Sequence, residues 1–195
     1  MKKLVLVLLF AVAAFTVYWI FFKGESGPEG PKQQPLTVSR HSEAFNAGID
    51  SLLQFYSTVK DALAAADSLA AKEVAASLAA YTNRLQMDEL KKDTAGIFES
   101  AAMFVTDIRT NTESLTQSAT LNDMRQDFKA ISDNLYPLLR TVHYEGKKLF
   151  WQYCPMAFGE GRGANWISNT EAIVNPYLGK NHADCGEIQD TIKAQ

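Results

Sequence analysis

The chain reads as mainly α, a four-helix bundle followed by a small, loop-rich C-terminal lobe with short extended segments. Three observations predict this. Apolar residues between Phe45 and Val142 recur at spacings of three and four, the period of a helix with one buried face. Polar breaks divide that pattern into four stripes, which helices packed at shallow angles would bury together. Beyond Gly146 the period is lost, and aromatic residues, glycines and both cysteines follow.

Taken in order, Lys2 and Lys3 precede an apolar run from Leu4 to Phe22 in which Thr16 is the clearly polar side chain. At about 1.5 Å per residue the run approaches the hydrocarbon thickness of a bilayer. Residues 1–23 are therefore read as an uncleaved signal anchor, a single-pass transmembrane helix. Ala11-Val12-Ala13 has the small-residue pattern of a cleavage site, but cutting there would leave the apolar stretch Phe15 to Phe22 on the mature terminus. Lys2, Lys3 and the amino terminus outweigh Lys23, so the positive-inside bias places the rest of the chain in the periplasm, with residues 4–22 in the inner membrane. Residues 24–38, with Gly24, Gly27, Pro28, Gly30, Pro31 and Pro35, form a flexible tether. A dozen such residues reach about 20 Å.

Residues 39–146 carry the bundle. Its first stripe is Phe45, Ile49, Leu52, Tyr56, Val59 and Leu63, and its second is Val74, Leu78, Tyr81 and Leu85. Ile97, Ala101, Phe104 and Ile108 make the third, and Leu121, Met124, Phe128, Ile131, Leu135, Leu138 and Val142 the fourth. Asp67-Ser68 is the expected start of the second helix, and Thr120 with Asp123 fits a capping box opening the fourth. Pro137 predicts a kink there, because it lacks an amide and its ring crowds the carbonyl of Asp133. Met87, Met103 and Met124 are too dispersed for a metal track and read as packing residues. His41, next to the tether, reads as solvated.

Residues 147–195 form a Cys-containing lobe, expected to pack against the end of the bundle. In an extended segment from Leu149 to Phe158, Phe150, Gln152, Cys154 and Met156 share one face, and Pro155 suggests an edge strand. Gly159, Gly161 and Gly163 mark a turn, Ala164 to Ile167 a second short strand, and Asn175-Pro176 another turn.

The chemistry concentrates in Cys154-Pro155-Met156 and His182-Ala183-Asp184-Cys185. Thiolate, thioether and imidazole together suit Cu(I) better than Mg²⁺ or Ca²⁺. Cys154, Met156, His182 and Cys185 are the candidate metal ligands, with His143 a more distant candidate. Zn²⁺ would accept the cysteines and His182, but methionine is not among its ordinary ligands. The alternative is a Cys154–Cys185 disulfide, the usual fate of two thiols in an oxidising compartment. It would stabilise the lobe by about 3 kcal/mol.

The strings Tyr153-Cys154-Pro155-Met156-Ala157, Gly163-Ala164-Asn165-Trp166-Ile167-Ser168, Ile173-Val174-Asn175-Pro176-Tyr177-Leu178-Gly179 and Cys185-Gly186-Glu187-Ile188 resemble an exported domain of unknown function common in Bacteroidetes. That domain also occurs at the end of copper and silver efflux adaptors of the membrane-fusion type. The resemblance covers roughly Phe45 to Ile192 and concentrates in the last forty residues. It implies an envelope domain associated with copper or heavy-metal resistance, with efflux components or another envelope protein as partners. Where such domains commonly carry methionine three residues before the second cysteine, this chain has His182, which also binds copper.

Two classes are disfavoured. A net charge of −3 without a Lys/Arg block argues against nucleic acid. The sequence also shows no acyl-transfer, phosphate or redox motif, so no enzymatic activity is expected. Gly159 to Gly163 lacks the spacing of a phosphate loop.

Overall fold

Residues 41–93 and 96–192 are described in the computed structural model of the chain. The expected anchor at 1–23 and tether at 24–38 lie outside the described residues. Among the described residues, no helix is long and apolar enough to cross a membrane.

Four α-helices are described: α1 (Glu43–Ala64), α2 (Ser68–Thr82), α3 (Ile97–Gln117) and α4 (Leu121–Thr141). A 3-10 turn, Asp88–Lys92, precedes α3. Side chains cap three of the starts. Ser42 accepts the Phe45 amide at 3.1 Å, Asp67 accepts Ala70 at 3.0 Å and Thr120 accepts Asp123 at 3.2 Å. The Thr120 hydroxyl also donates to the Asp123 carboxylate, at 2.7 Å, which fixes the carboxylate at the positive end of α4. α4 runs through Pro137 without a break.

All six residues of the first stripe are buried, as is the fourth from Met124 to Val142. The second helix differs from expectation. Its fully buried face is Ala71, Ala75, Leu78 and Ala79, while Val74 and Tyr81 are half-buried. Small side chains let α2 approach its neighbours closely, and alanine contributes too little hydrophobicity to mark the face in sequence. His41 also departs from its expected solvated state. Nδ1 lies 2.8 Å from a Glu89 carboxylate oxygen and Nε2 2.5 Å from the Val142 carbonyl, joining the start of α1 to the 3-10 turn and the end of α4.

Three antiparallel strands follow: β1 (Leu149–Cys154), β2 (Ala164–Ser168) and β3 (Glu187–Ile192), in the order β2-β1-β3. β1 is thus central, and Pro155 lies just beyond its last pair, Cys154 with Ala164, rather than on an edge strand. Because β1 and β3 run antiparallel, Tyr153 pairs with Glu187. The residues just before β3 are therefore delivered to the end of β1.

The lobe packs along the flank of α4 and onto α1, not against the bundle's end. The reason is a polar and aromatic seam. The Ile167 amide donates to the Tyr56 hydroxyl at 3.0 Å, Tyr56 bonds Ser132 at 2.7 Å, and Ser132 donates to the Phe128 carbonyl at 2.9 Å. Since the Ser132 proton is used on Phe128, Tyr56 must donate to Ser132, giving one directed chain from β2 through α1 to α4. Tyr56 stacks on Phe128 with centroids 4.9 Å apart. Further along α4, Arg125 donates to the carbonyls of Pro176 and Leu63, and Tyr136 stacks on Trp151 while bonding Asp190.

Candidate functional site

Cys154 occupies the last position of β1, on the same buried face as Phe150 and Gln152. Cys185 lies between a 3-10 turn, Gly179–His182, and β3. The pairing of β1 with β3 brings these two ends together, and the sulfurs stand 3.0 Å apart as free thiols. Cys154 is fully buried, whereas Cys185 is half-buried. Solvent therefore reaches the pair from the Cys185 side.

The approach depends on Gly186. A Cβ there would stand 2.9 Å from the Trp166 ring and 2.9 Å from the Tyr153 carbonyl, and its φ of +151° suits few other residues. Behind Cys154 lie the buried rings of Trp166 and Tyr177, edge to face at 5.9 Å. Burial holds the Tyr177 phenol well above its ordinary pKa, and its hydroxyl donates to the Asn165 carbonyl at 2.5 Å. The hydrogen bond with Cys154, with burial and the charges of Cys154 and Asp184 adding to it, pushes the Cys185 thiol up to about 11. Near neutral pH Cys185 is therefore protonated, a slow nucleophile that must lose its proton to bind a metal.

The other sequence-derived ligands are placed differently. β1 ends at Cys154, so Met156 lies not on an extended strand beside it but in the following turn, 52% exposed. Pro155, which has no amide to continue the ladder, accounts for the break. His182 is exposed at the end of the 3-10 turn. His143 follows the end of α4 in the left-handed conformation, φ +48°, and the Tyr144 amide closes the helix onto the Leu139 carbonyl at 2.9 Å. Among the described residues, no group of three or more His, Cys, Asp or Glu side chains converges on a metal-sized site.

Asn175 is a site residue that sequence reasoning treated only as part of a turn. It is fully buried, and its carboxamide donates to the Cys185 carbonyl at 2.7 Å. Its side-chain oxygen accepts the amides of Tyr177 and Leu178 at 2.8 and 3.1 Å. Gln152 anchors the neighbouring loop, its amide lying within 3.1–3.3 Å of the carbonyls of Thr170, Glu171 and Ala172. A polar side chain on the buried face of an aromatic strand was the one sequence signal for that role.

Fold and site together define a helical bundle carrying an appended β lobe with a close pair of thiols. Residues 52–147 match the family model described as a protein of unknown function (DUF3347). The match covers most of the bundle and stops before β1, so both cysteines lie outside it. No curated protein and no solved structure matches the chain.

Proposed function

We propose that the protein is a membrane-tethered periplasmic domain that binds Cu(I) through Cys154 and Cys185 and sequesters it or passes it to an efflux partner. One observation carries this reading: two cysteines 31 positions apart bring their sulfurs to 3.0 Å, with one of them accessible to solvent. The sequence strings of the lobe that resemble domains at the end of copper and silver efflux adaptors, Tyr153 to Ala157 and Cys185 to Ile188 among them, point to the same cargo. The apolar run at residues 4–22 supports the tether.

The donor chemistry fits a soft d¹⁰ ion. Two thiolates, each about 2.3 Å from such an ion, stand roughly 4 Å apart, so loading separates the sulfurs by roughly 1 Å. Cys154 is fixed in the central strand, and Cys185, on irregular backbone, makes that movement. Met156 and His182 stand in the exposed turns next to the two cysteines, and the pair of thiolates carries the binding in this reading. Loading displaces the Cys185 proton, so apparent affinity rises with pH through the neutral range.

Cu(I) competition on anaerobically reduced protein tests the proposal. Tight binding that disappears in Cys154→Ser and in Cys185→Ser is expected; weak binding indifferent to both substitutions refutes it. A second reading, a structural or adaptor domain closed by a Cys154–Cys185 disulfide, is favoured by a sulfur separation shorter than a metal-bridged pair requires. It predicts no free thiols after aerobic purification and no Cu(I) retention after reduction.

A further inference from the structure

Just before β3, the short segment from Ala183 to Gly186 has no regular structure yet must hold Cys185 at a fixed place, and two of its carbonyls bond a single residue. Asn175 uses its polar groups in two directions. Toward its own turn, the side-chain oxygen accepts two successive amides, Tyr177 and Leu178, which fixes the carboxamide plane. Toward the cysteine, the side-chain NH₂ donates to the Cys185 carbonyl at 2.7 Å and the backbone amide donates to the Ala183 carbonyl at 2.8 Å. Residues 183 and 185 are thus both held by Asn175, whereas the Cys185 amide bonds the carbonyl of His182 at 3.2 Å, within its own turn. On the other side, Cys154 is immobilised by β1.

We propose that Asn175 is the positioning residue of the thiol pair, setting the distance between the Cys185 and Cys154 sulfurs through the Cys185 carbonyl. This rests on the reading of Cys154 and Cys185 as the working pair. It does not depend on which of copper binding or disulfide closure the pair performs, because both require the sulfurs to be presented to one another. Full burial of the Asn175 side chain keeps water from competing for its donor, and a Cys185 carbonyl deprived of that donor would have to find water or another partner.

The test is the thiol–disulfide equilibrium of the protein in a glutathione buffer, which reads the effective concentration of one thiol at the other. Asn175→Asp keeps the acceptor toward Tyr177 and Leu178 but removes the donor toward Cys185. It is expected to shift the equilibrium at least tenfold toward the dithiol and to speed alkylation of Cys185. Tyr144→Phe serves as the control, because that hydroxyl bonds Asp50 and the Lys147 amide and not the 183–185 segment; it should leave the equilibrium within about twofold. An unchanged equilibrium in Asn175→Asp, or equal shifts in both variants, overturns the proposal. Should Asn175→Asp fail to fold, the wild-type protein still decides the matter. Its Asn175 side-chain amide signals should be protected from solvent exchange and move between the reduced and oxidised states; signals that stay in place overturn it. If wild-type protein ignores Cu(I) while Asn175→Asp shifts the equilibrium, copper binding fails and the positioning role stands. With tight Cu(I) binding and an indifferent Asn175→Asp, copper binding stands and the positioning role fails.

Discussion

The bundle between Glu43 and Thr141 is held by apolar stripes spread over four described helices, whereas the lobe from Leu149 to Ile192 adds Trp166, Ile167 and Tyr177 to that core and fixes its loops through the buried polar side chains of Gln152 and Asn175. Loss of one contact in the bundle is shared by a continuous core. In the lobe, the loops before β3 hang on the specific bonds of Gln152 and Asn175, so a single substitution leaves backbone groups without a partner. The difference teaches where to look for chemistry: the two sulfurs meet in the lobe, and the bundle provides the wall against which it packs.

Phe128 is where the two regions meet, stacked on Tyr56 and 6.0 Å from the Tyr177 ring. Phe128→Ala should therefore give the largest effect, about 3–5 kcal/mol of lost stability in denaturant unfolding. If the regions are one cooperative unit, fluorescence of the lobe tryptophans and helical circular dichroism will fall together; separate transitions would split bundle from lobe. Next in size is the redox state. Closing Cys154 to Cys185 should raise stability by about 3 kcal/mol relative to the reduced form, measured as a shift in unfolding midpoint. A Leu115→Ala bundle variant should show the same redox increment despite its lower baseline, because Leu115 is buried in α3, a helix outside the β1–β3 pairing that joins the sulfurs.

Tyr56→Phe comes third. It removes the acceptor of the Ile167 amide and the donor to Ser132 without changing the packed volume, at a cost of about 1–3 kcal/mol. Burial pushes the Tyr56 phenol far above its ordinary range, so this effect should be independent of pH up to strongly alkaline conditions. The smallest effect is acid-dependent and belongs to the bundle. Burial alone would raise the Glu89 carboxyl, but hydrogen bonds from Ser42 and His41 outweigh it and lower its pKa. A carboxylate depressed in the folded state contributes stability above its unfolded pKa and loses it as pH falls through the folded one. Glu89→Gln should thus reduce stability near neutrality and converge with wild type in acid; a difference that grows in acid would contradict the assignment.

Much of the bundle was legible because Phe, Leu, Ile and Val at helical spacing leave few alternatives. The first and fourth stripes are the buried faces of α1 and α4 with little revision. α2 was less readable because alanines form its inner face, and α3 because Val105, Thr112 and Leu115 complete a core face that the shorter stripe of Ile97 to Ile108 only began. In the lobe, Leu149 to Cys154 and Ala164 to Ile167 were legible as extended segments. β3 was not, since Glu187-Ile188-Gln189-Asp190-Thr191-Ile192 is a mostly polar strand, exposed over its first three residues, with only Ile192 buried in the core. Yet β3 is what carries Cys185 to Cys154. Residue chemistry marked the two cysteines as related, and only a pairing between distant strands establishes that they meet. Asn175 escaped for a similar reason, because a turn-forming asparagine and one that holds a remote carbonyl are written with the same letter.

The proposed function turns on whether both sulfurs bind one soft cation. X-ray absorption at the copper edge on anaerobically loaded protein measures this directly. It should show two sulfur neighbours at about 2.3 Å, the distance a thiolate takes on a d¹⁰ ion, a signal lost in Cys185→Ser together with the bound copper. A spectrum fitted by nitrogen and oxygen alone, unchanged by that substitution, would contradict it.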